Sequence, residues 1–463
     1  MIPYSRDQYT AIMGGKPFFP PQYVVAPGSV EEIQKIVKLA NKYKIPIYPY
    51  TYGTNTGSSA IPFSGGIILI LRRLDRIIEI DKDSSAAIIE PGVSWGKLRK
   101  EAKKKGLDII PPLGPYTGSP IGSYQWLCLT FYGSRYSTDR ALSLEVVLPN
   151  GEILRTGSWA LPEKVEKNPF FRYAFGPDLT GLFRSSMGNL GIITKMAIRL
   201  RPLHDVEELI EIGFNNLESA LRAMQAIDRK EISLSLIMER KYGLLRCIAP
   251  DVEQIRNPEE IKKLRESIPE WILSVGIGGT VEQANLYRKM VKDEAKKENG
   301  ILLEFTGKMK ENLEQYLSGA SRAVLRLMHM GGVASVVTIT KISEVPKIVA
   351  ETRKIIDAAG FKEPFLGTPL EPMILIIPYD HCANVYLEQD LVFDAAEPEI
   401  IAKMSAVIRE ATKQMFKHGS ALFMPGRTLV HRLLMPTYSK ILSDIKKNLD
   451  PNNIFNPGGP WGF

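Results

Sequence analysis

The sequence predicts an α+β protein of at least two domains, on three observations. Up to about residue 202, short apolar runs rich in β-branched residues alternate with long loops of glycine and hydroxyl residues. Pro149-Asn150-Gly151 stands between two of these runs, Leu144–Leu148 and Glu152–Thr156, and Asn150-Gly151 is a strong signal for a hairpin turn. Past Arg201-Pro202 the hydroxyl-rich loops stop, and strand-like and helix-like segments alternate regularly.

Taken in order, Pro20–Gly28 is extended, because proline holds its predecessor out of the helical region. Ser29 and Glu32 have capping-box spacing, and Ile33, Ile36, Val37 and Ala40 form one apolar helix face ending near Lys44. Ile45–Tyr50 reads as a strand kept to an edge by its prolines. Gly65–Leu71, Ile77–Ile80 and Ala86–Gly92 are further strands, Ser94–Lys105 is a helix stopped by Gly106, and Ile192–Leu200 alternates like a half-buried strand. In the second half the pattern predicts strands at Glu208–Phe214, Ser233–Met238, Trp271–Ile277, Ile301–Phe305, Ala334–Thr340 and Met373–Ile377. Helices are predicted between them near Leu217–Ile227, Thr280–Asn299 and Val345–Ala359, giving one sheet with helices on a face. Glu397–Lys417 follows as an amphipathic helix, then a strand and turn at Ser420–Thr428 and a helix to Asp450. The turn-rich tail Asp450–Pro460 carries an Ile454-Phe455 pair, so it is expected to pack against the body.

A length of 463 residues exceeds one ordinary domain of roughly 100 to 200 residues. No apolar run is long enough to span a membrane, and the start lacks the pattern of a secretory signal, so a cytoplasmic location is expected. Cys128, Cys247 and Cys382 lie too far apart for a Cys-x-x-Cys metal or redox motif, so no metal site is expected and any iron–sulfur cluster belongs to another chain. The formal charge of +8 is spread over solvated helices such as Lys97–Lys105, and no nucleic-acid motif accompanies it.

Three loops carry the chemistry. Thr51–Ser59 is rich in glycine, hydroxyls and exposed amides, which suits a pyrophosphate, although it is neither a P-loop nor Gly-x-Gly-x-x-Gly. Pro111–Gly122 repeats that composition from Gly114 onward. In the third, Gly188 and Gly191 are three apart and let the backbone approach a flat or charged ligand, or else make an ordinary tight turn.

Their order and spacing resemble the flavoproteins of the vanillyl-alcohol oxidase and p-cresol methylhydroxylase family over nearly the whole chain. The resemblance rests on Pro27–Asn41, Gly53–Gly57, Ile88–Val93, Gly118–Gly122, Leu144–Gly157, Tyr173–Arg201 and Leu449–Gly458. It implies a PCMH-type FAD-binding domain at 1–202 and 421–463, with a central α/β cap, the substrate domain, at 203–420. It also implies FAD contacts from Tyr52, Gly53, Thr54, Asn55, Thr56, Gly57 and Ser58, then from Gly118, Ser119 and Gly122, and from Gly188, Gly191, Ile192, Ile193 and Asn456. The implied activity is FAD-dependent oxidation, in which a small alcohol, 2-hydroxy acid or aromatic side chain loses a hydride to flavin N5 and the electrons pass to a partner or to O₂.

Arg427 in Gly426-Arg427-Thr428 matches the arginine with which phenol-oxidising members clamp a phenolate. Their two tyrosines are replaced by Ser58 and Gly426, which argues against a phenolate and leaves Arg427 to hold a carboxylate or the flavin carbonyl. The pyrophosphate loop has no histidine, so dissociable FAD is expected. His381 is the first candidate general base, with Tyr386, Tyr379 and Tyr132 as polar alternatives. A homo-oligomer and a separate electron-accepting subunit are the expected partners. Competing readings are a glycolate or D-lactate dehydrogenase-type subunit of an iron–sulfur complex, which shares Pro177–Phe183, and a non-catalytic scaffold. A nicotinamide enzyme built on Val275-Gly-Ile-Gly-Gly-Thr280 is a third.

Overall fold

The computed structural model describes residues 20–54, 61–110, 114–126, 139–162, 169–173, 176–251, 257–317, 332–362, 369–394, 397–418, 421–422 and 435–458. The first part runs β1 (Tyr23–Val25), α1 (Val30–Tyr43), β2 (Ile47–Tyr50), β3 (Ile67–Ile70), β4 (Ile77–Asp81), β5 (Ala86–Ile89), α2 (Trp95–Lys103) and β6 (Leu107–Asp108). It continues with α3 (Pro120–Trp126), β7 (Ala141–Val147), β8 (Ile153–Arg155), α4 (Leu179–Leu182), β9 (Ile192–Arg199) and β10 (Arg201–Pro202). Ser29 caps α1 by accepting the Glu32 amide, as its spacing predicts, but Glu32 reaches past the cap to the Gly28 amide at 2.6 Å. Gly151 turns the β7–β8 hairpin at φ +81°.

β1, β3 and β2 form a parallel sheet with the proline-bearing β2 at its edge. β4, β5, β9, β7 and β8 form a second, antiparallel sheet. Ile33, Val37 and Ala40 of α1 pack into one core with Ile47, Leu69, Ile192, Ile454 and Phe455.

The remainder runs β11 (Val206–Phe214), α5 (Leu217–Asp228), β12 (Ser233–Arg240), α6 (Lys241–Ile248), α7 (Pro258–Glu266), β13 (Trp271–Gly279) and α8 (Val281–Lys297). Then come β14 (Ile301–Leu303), α9 (Gly307–Leu317), β15 (Gly332–Thr340), α10 (Val345–Ala359), β16 (Met373–Tyr379), β17 (Asn384–Phe393), α11 (Pro398–Lys417), β18 (Ala421–Leu422) and α12 (Pro436–Leu449). All eight strands join one antiparallel sheet in the order β14-β11-β13-β12-β16-β17-β15-β18. Alternation along each strand divides its two faces. One face packs on α5, α8, α10 and α11 through Ile212, Met224, Val291, Leu387, Ala411 and Met415. The other carries Ile237, Ile272, Ile377 and Tyr386, with Leu244 of α6 and Leu313 of α9 against it.

The nicotinamide reading fails here. Gly276, Gly278 and Gly279 belong to strand β13, and a Cβ there would strike Ser235, Leu234 and Gln283, so these glycines serve close packing. The helix that follows is capped by Thr280 in a full capping box.

Candidate active site

The 51–54 turn, α3 and the 187–188 turn line a cleft that is open to solvent. Gly53, Thr54, Ser119, Gly122 and Gly188, all predicted from the sequence, line it with Thr51 of the same predicted loop, beside Tyr50, Ser123, Gln125, Trp126 and Met187, which were not. Gly53 lies at φ +65°, and a Cβ there would collide with the Tyr50 hydroxyl, so only glycine fits. A Cβ on Gly122 would come within 3.1 Å of Thr51 Oγ1, so the backbone is bare where a bulky anion would approach. Ser119 Oγ accepts the Gly122 amide at 3.3 Å and donates to Pro91 O at 2.7 Å, fixing the start of α3.

Other predicted contacts take supporting places. Tyr52 turns its hydroxyl back to Gly92 O at 2.7 Å, and Gly118 O accepts the Trp95 amide at 2.9 Å. Gly191 is a packing glycine, because a Cβ would strike Val146. Ile192 and Ile193 are buried core side chains. Asn456 is buried and donates through Nδ2 to Met187 O at 2.6 Å, behind the wall of the cleft. Asn55, Thr56, Gly57 and Ser58, with Tyr132 and Arg427, lie outside the described residues.

A second polar group lies on the α6/α9 face of the eight-stranded sheet. Tyr386 Oη donates to Glu388 Oε2 at 2.7 Å, and Asp390 follows at the next same-face position of β17. Burial, followed by the neighbouring Glu388 charge, pushes Tyr386 and Asp390 well above their ordinary values. Burial also raises Glu388, opposed by hydrogen bonds from Tyr386, Asp390 and Ser335. Burial thus favours a shared proton on the Glu388–Asp390 pair, with Glu388 accepting from Tyr386. Tyr379 packs on this face as well.

His381 is not brought to that face. It sits half-exposed at the β16–β17 turn, with Nε2 3.4 Å from Glu231, and the next residue, Cys382, packs into the helix-covered core. Alternation alone could have found Glu388 and Asp390, because each interrupts an otherwise apolar strand two residues from the last inward position.

By alternation with Leu209, Glu211 shares the face of Tyr386, where it accepts Ser274 Oγ at 2.5 Å. Burial pushes its carboxyl up to about 8. A carboxyl raised on folding stabilises below its unfolded value and loses that contribution as pH climbs through the folded value. The contribution of Glu211 to stability is therefore expected to fall between pH 4.5 and pH 8. Glu211→Gln removes that slope and is expected to raise stability at pH 8 by about 1–3 kcal/mol with little change at pH 4.5, read from melting curves at both values.

A cleft lined by glycine backbone and hydroxyls suits a dinucleotide cofactor. The chain belongs to the FAD-linked oxidases: residues 203–459 match the family described as FAD linked oxidases, C-terminal domain, and residues 21–157 match the FAD binding domain family. It is a FAD-dependent oxidoreductase acting on small organic substrates. The flavoprotein subunit of 4-cresol dehydrogenase [hydroxylating] from Pseudomonas putida is 25% identical, with 95% of this chain and 87% of that protein covered. A mitochondrial D-lactate dehydrogenase [cytochrome] from Arabidopsis thaliana is 26% identical over 95% of this chain and 73% of its own length. In fold the chain is similar to substrate-bound p-cresol methylhydroxylase, with a TM-score of 0.84 at 24% identity over 99% of this chain and 92% of that one. The 4-ethylphenol oxidase of Gulosibacter chungangensis gives 0.81 at 22% identity over 94% and 88%. Among the described residues no helix is long and apolar enough to cross a membrane.

Proposed function

We propose that the chain oxidises a small neutral substrate bearing a hydroxyl, an alcohol or an aromatic side chain, on the α6/α9 face of the sheet. The observation that carries this reading is the Tyr386–Glu388 hydrogen bond of 2.7 Å beside Asp390. FAD, held without a covalent bond by Gly53, Thr54, Ser119, Gly122 and Gly188 and by the neighbouring 55–58 segment, supplies a hydride acceptor when bound. Tyr386 orients the substrate hydroxyl, and Glu388 takes its proton through Tyr386. Glu388 and Asp390 stand two residues apart on this face with no cationic partner among the described residues, and on that ground neutral alcohols are ranked ahead of 2-hydroxy acids. Arg427, matched by its sequence, is proposed to hold the flavin carbonyl, or a carboxylate where the substrate carries one. His381 is left out of the machinery.

The division at 202/203 and 420/421, a homo-oligomer, residence in the cytoplasm and electron transfer to a partner subunit or O₂ belong to the same proposal. The Pro177–Phe183 phrase shared with lactate-type enzymes has a structural use in this chain. Asp178 caps α4 through the Gly181 amide at 3.1 Å and binds Arg172 at 2.6 Å.

The test begins with an absorption spectrum before and after acid precipitation, in which flavin released to the supernatant is the expected outcome. Alcohols, aromatic substrates and 2-hydroxy acids are then screened for anaerobic bleaching. With the best donor, Tyr386→Phe is expected to keep its flavin and lose about 10²-fold in kcat/KM. Unchanged turnover in that variant removes Tyr386 from the site, and bleaching by no donor favours the scaffold reading.

A further inference from the structure

The turn that walls the cofactor cleft has a conformation its residue types disfavour. φ is +55° at Ser185, +51° at Met187 and +75° at Gly188. Left-handed backbone at two non-glycine residues persists only where the surroundings over-determine it. On one side the Ser185 amide donates to Tyr124 O at 3.1 Å and the Met187 amide to Gln125 O at 2.9 Å, both on α3.

The other side is held by the chain's C-terminal segment. Lys446 of α12 is 2% exposed, and its Nζ donates to Asn189 O at 2.8 Å, to Phe455 O at 2.8 Å and to Asp450 Oδ2 at 2.5 Å. Asp450 in turn accepts the Ile454 amide at 3.0 Å and the Phe455 amide at 2.9 Å. Asn456 donates its side-chain amide to Met187 O at 2.6 Å and its backbone amide to Ile47 O at 2.9 Å, on the strand whose Pro49 and Tyr50 also line the cleft.

An ammonium is a poor choice for filling core space, because burying it costs far more than burying a thioether of similar length. What it does here is aim three donors at acceptors on two separate segments. Burial pulls the Lys446 ammonium below its ordinary value, with Asp450 opposing, as expected for a charge kept for its hydrogen bonds.

We infer that Lys446, Asp450 and Asn456 form a latch of positioning residues that sets the 187–189 turn, so that FAD affinity depends on docking of the 450–456 segment. This rests on reading the cleft as the FAD site. Linkage makes the effect reciprocal: bound FAD holds the segment down.

The test compares wild type with Lys446→Met, Lys446→Arg and Asn456→Ala, each stripped of flavin and titrated with FAD by fluorescence, with the melting curve of each apoprotein alongside. Lys446→Met and Asn456→Ala are expected to weaken FAD binding about tenfold or more, and Lys446→Arg to recover part of it. If Lys446→Met does not fold, Asn456→Ala decides alone. Wild type that takes up FAD while Asn456→Ala binds it within twofold as well overturns the latch alone. So does FAD binding that weakens only in proportion to the loss of apoprotein melting temperature. A wild-type chain that takes up no FAD overturns the cofactor reading together with the latch.

Discussion

Gly191→Trp is expected to yield no folded protein, and with it no flavin. An added Cβ at Gly191 would overlap Val146 and come within 3.2 Å of Phe183 Cε1 and 3.3 Å of Val147 O, with no room for an indole. The position opens β9, the central strand of the five-stranded sheet, where both flanking strands must move together. Gly191→Ala isolates the cause, with an expected loss of about 1–3 kcal/mol in apoprotein stability and a normal flavin-to-protein ratio. An alanine variant with an unchanged melt and no flavin would instead put Gly191 in the cofactor site.

Asp108→Ala is the second large effect. Asp108 is fully buried and accepts four donors: Arg99 Nε at 2.8 Å, Arg99 Nη2 at 3.0 Å, Arg201 Nη2 at 3.2 Å and the Ile109 amide at 2.8 Å. Arg201 is itself 1% exposed and turns its other nitrogen to Glu207 at 2.5 Å. This cluster ties β6 and β10 to the start of β11, where the chain enters the eight-stranded sheet. Removing the carboxylate takes a shared partner from two partly or wholly buried guanidinium groups, leaving Arg201 with Glu207, and breaking a buried pair in this way typically costs about 3–5 kcal/mol. Thermal melting at fixed FAD concentration is expected to drop by roughly ten degrees. Asp108→Asn keeps the shape and one acceptor oxygen, and should fall between the two. A wild-type melt in Asp108→Ala would show that water replaces the carboxylate at no cost.

Local chemistry made much of the fold legible. The α10 boundaries fall where periodicity placed them, at Val345 and Ala359, and Asn150-Gly151 turns the hairpin it announced. β17 escaped notice because Glu388, Gln389 and Asp390 interrupt its apolar run. Gln389 faces the helix layer, where it bonds Thr352, and its neighbours face the other way. α6 was missed because it is buried nearly all round and shows no amphipathic stripe.

At the site, the glycine-rich loops revealed the cleft, since bare backbone is a local property. Whether a given glycine faces a ligand or a neighbouring strand depends on long-range packing. Gly188 and Gly191 therefore look alike in sequence and part company in the fold, one against Pro49 at the cleft and the other against Val146 in the core. Residue type put His381 ahead of Tyr386 as a general base, and only the strand register separates a turn residue from an inward-facing one.

The parallel pairing of Ile47 with Phe455, and the bond from Tyr48 Oη to Pro457 O across 409 residues, bear on how the protein is made. Ribosomes add roughly 5–20 residues per second, so β2 waits tens of seconds for its last partner. Throughout that interval the parallel sheet has an open edge at β2, next to the apolar surface that Ile454 and Phe455 later cover. The eight-stranded sheet, whose residues lie between the two halves of this core, folds while the first core is still incomplete. Productive synthesis of this chain is thus a matter of timing, with exposure to chaperones and to aggregation lasting until Ile454 and Phe455 arrive.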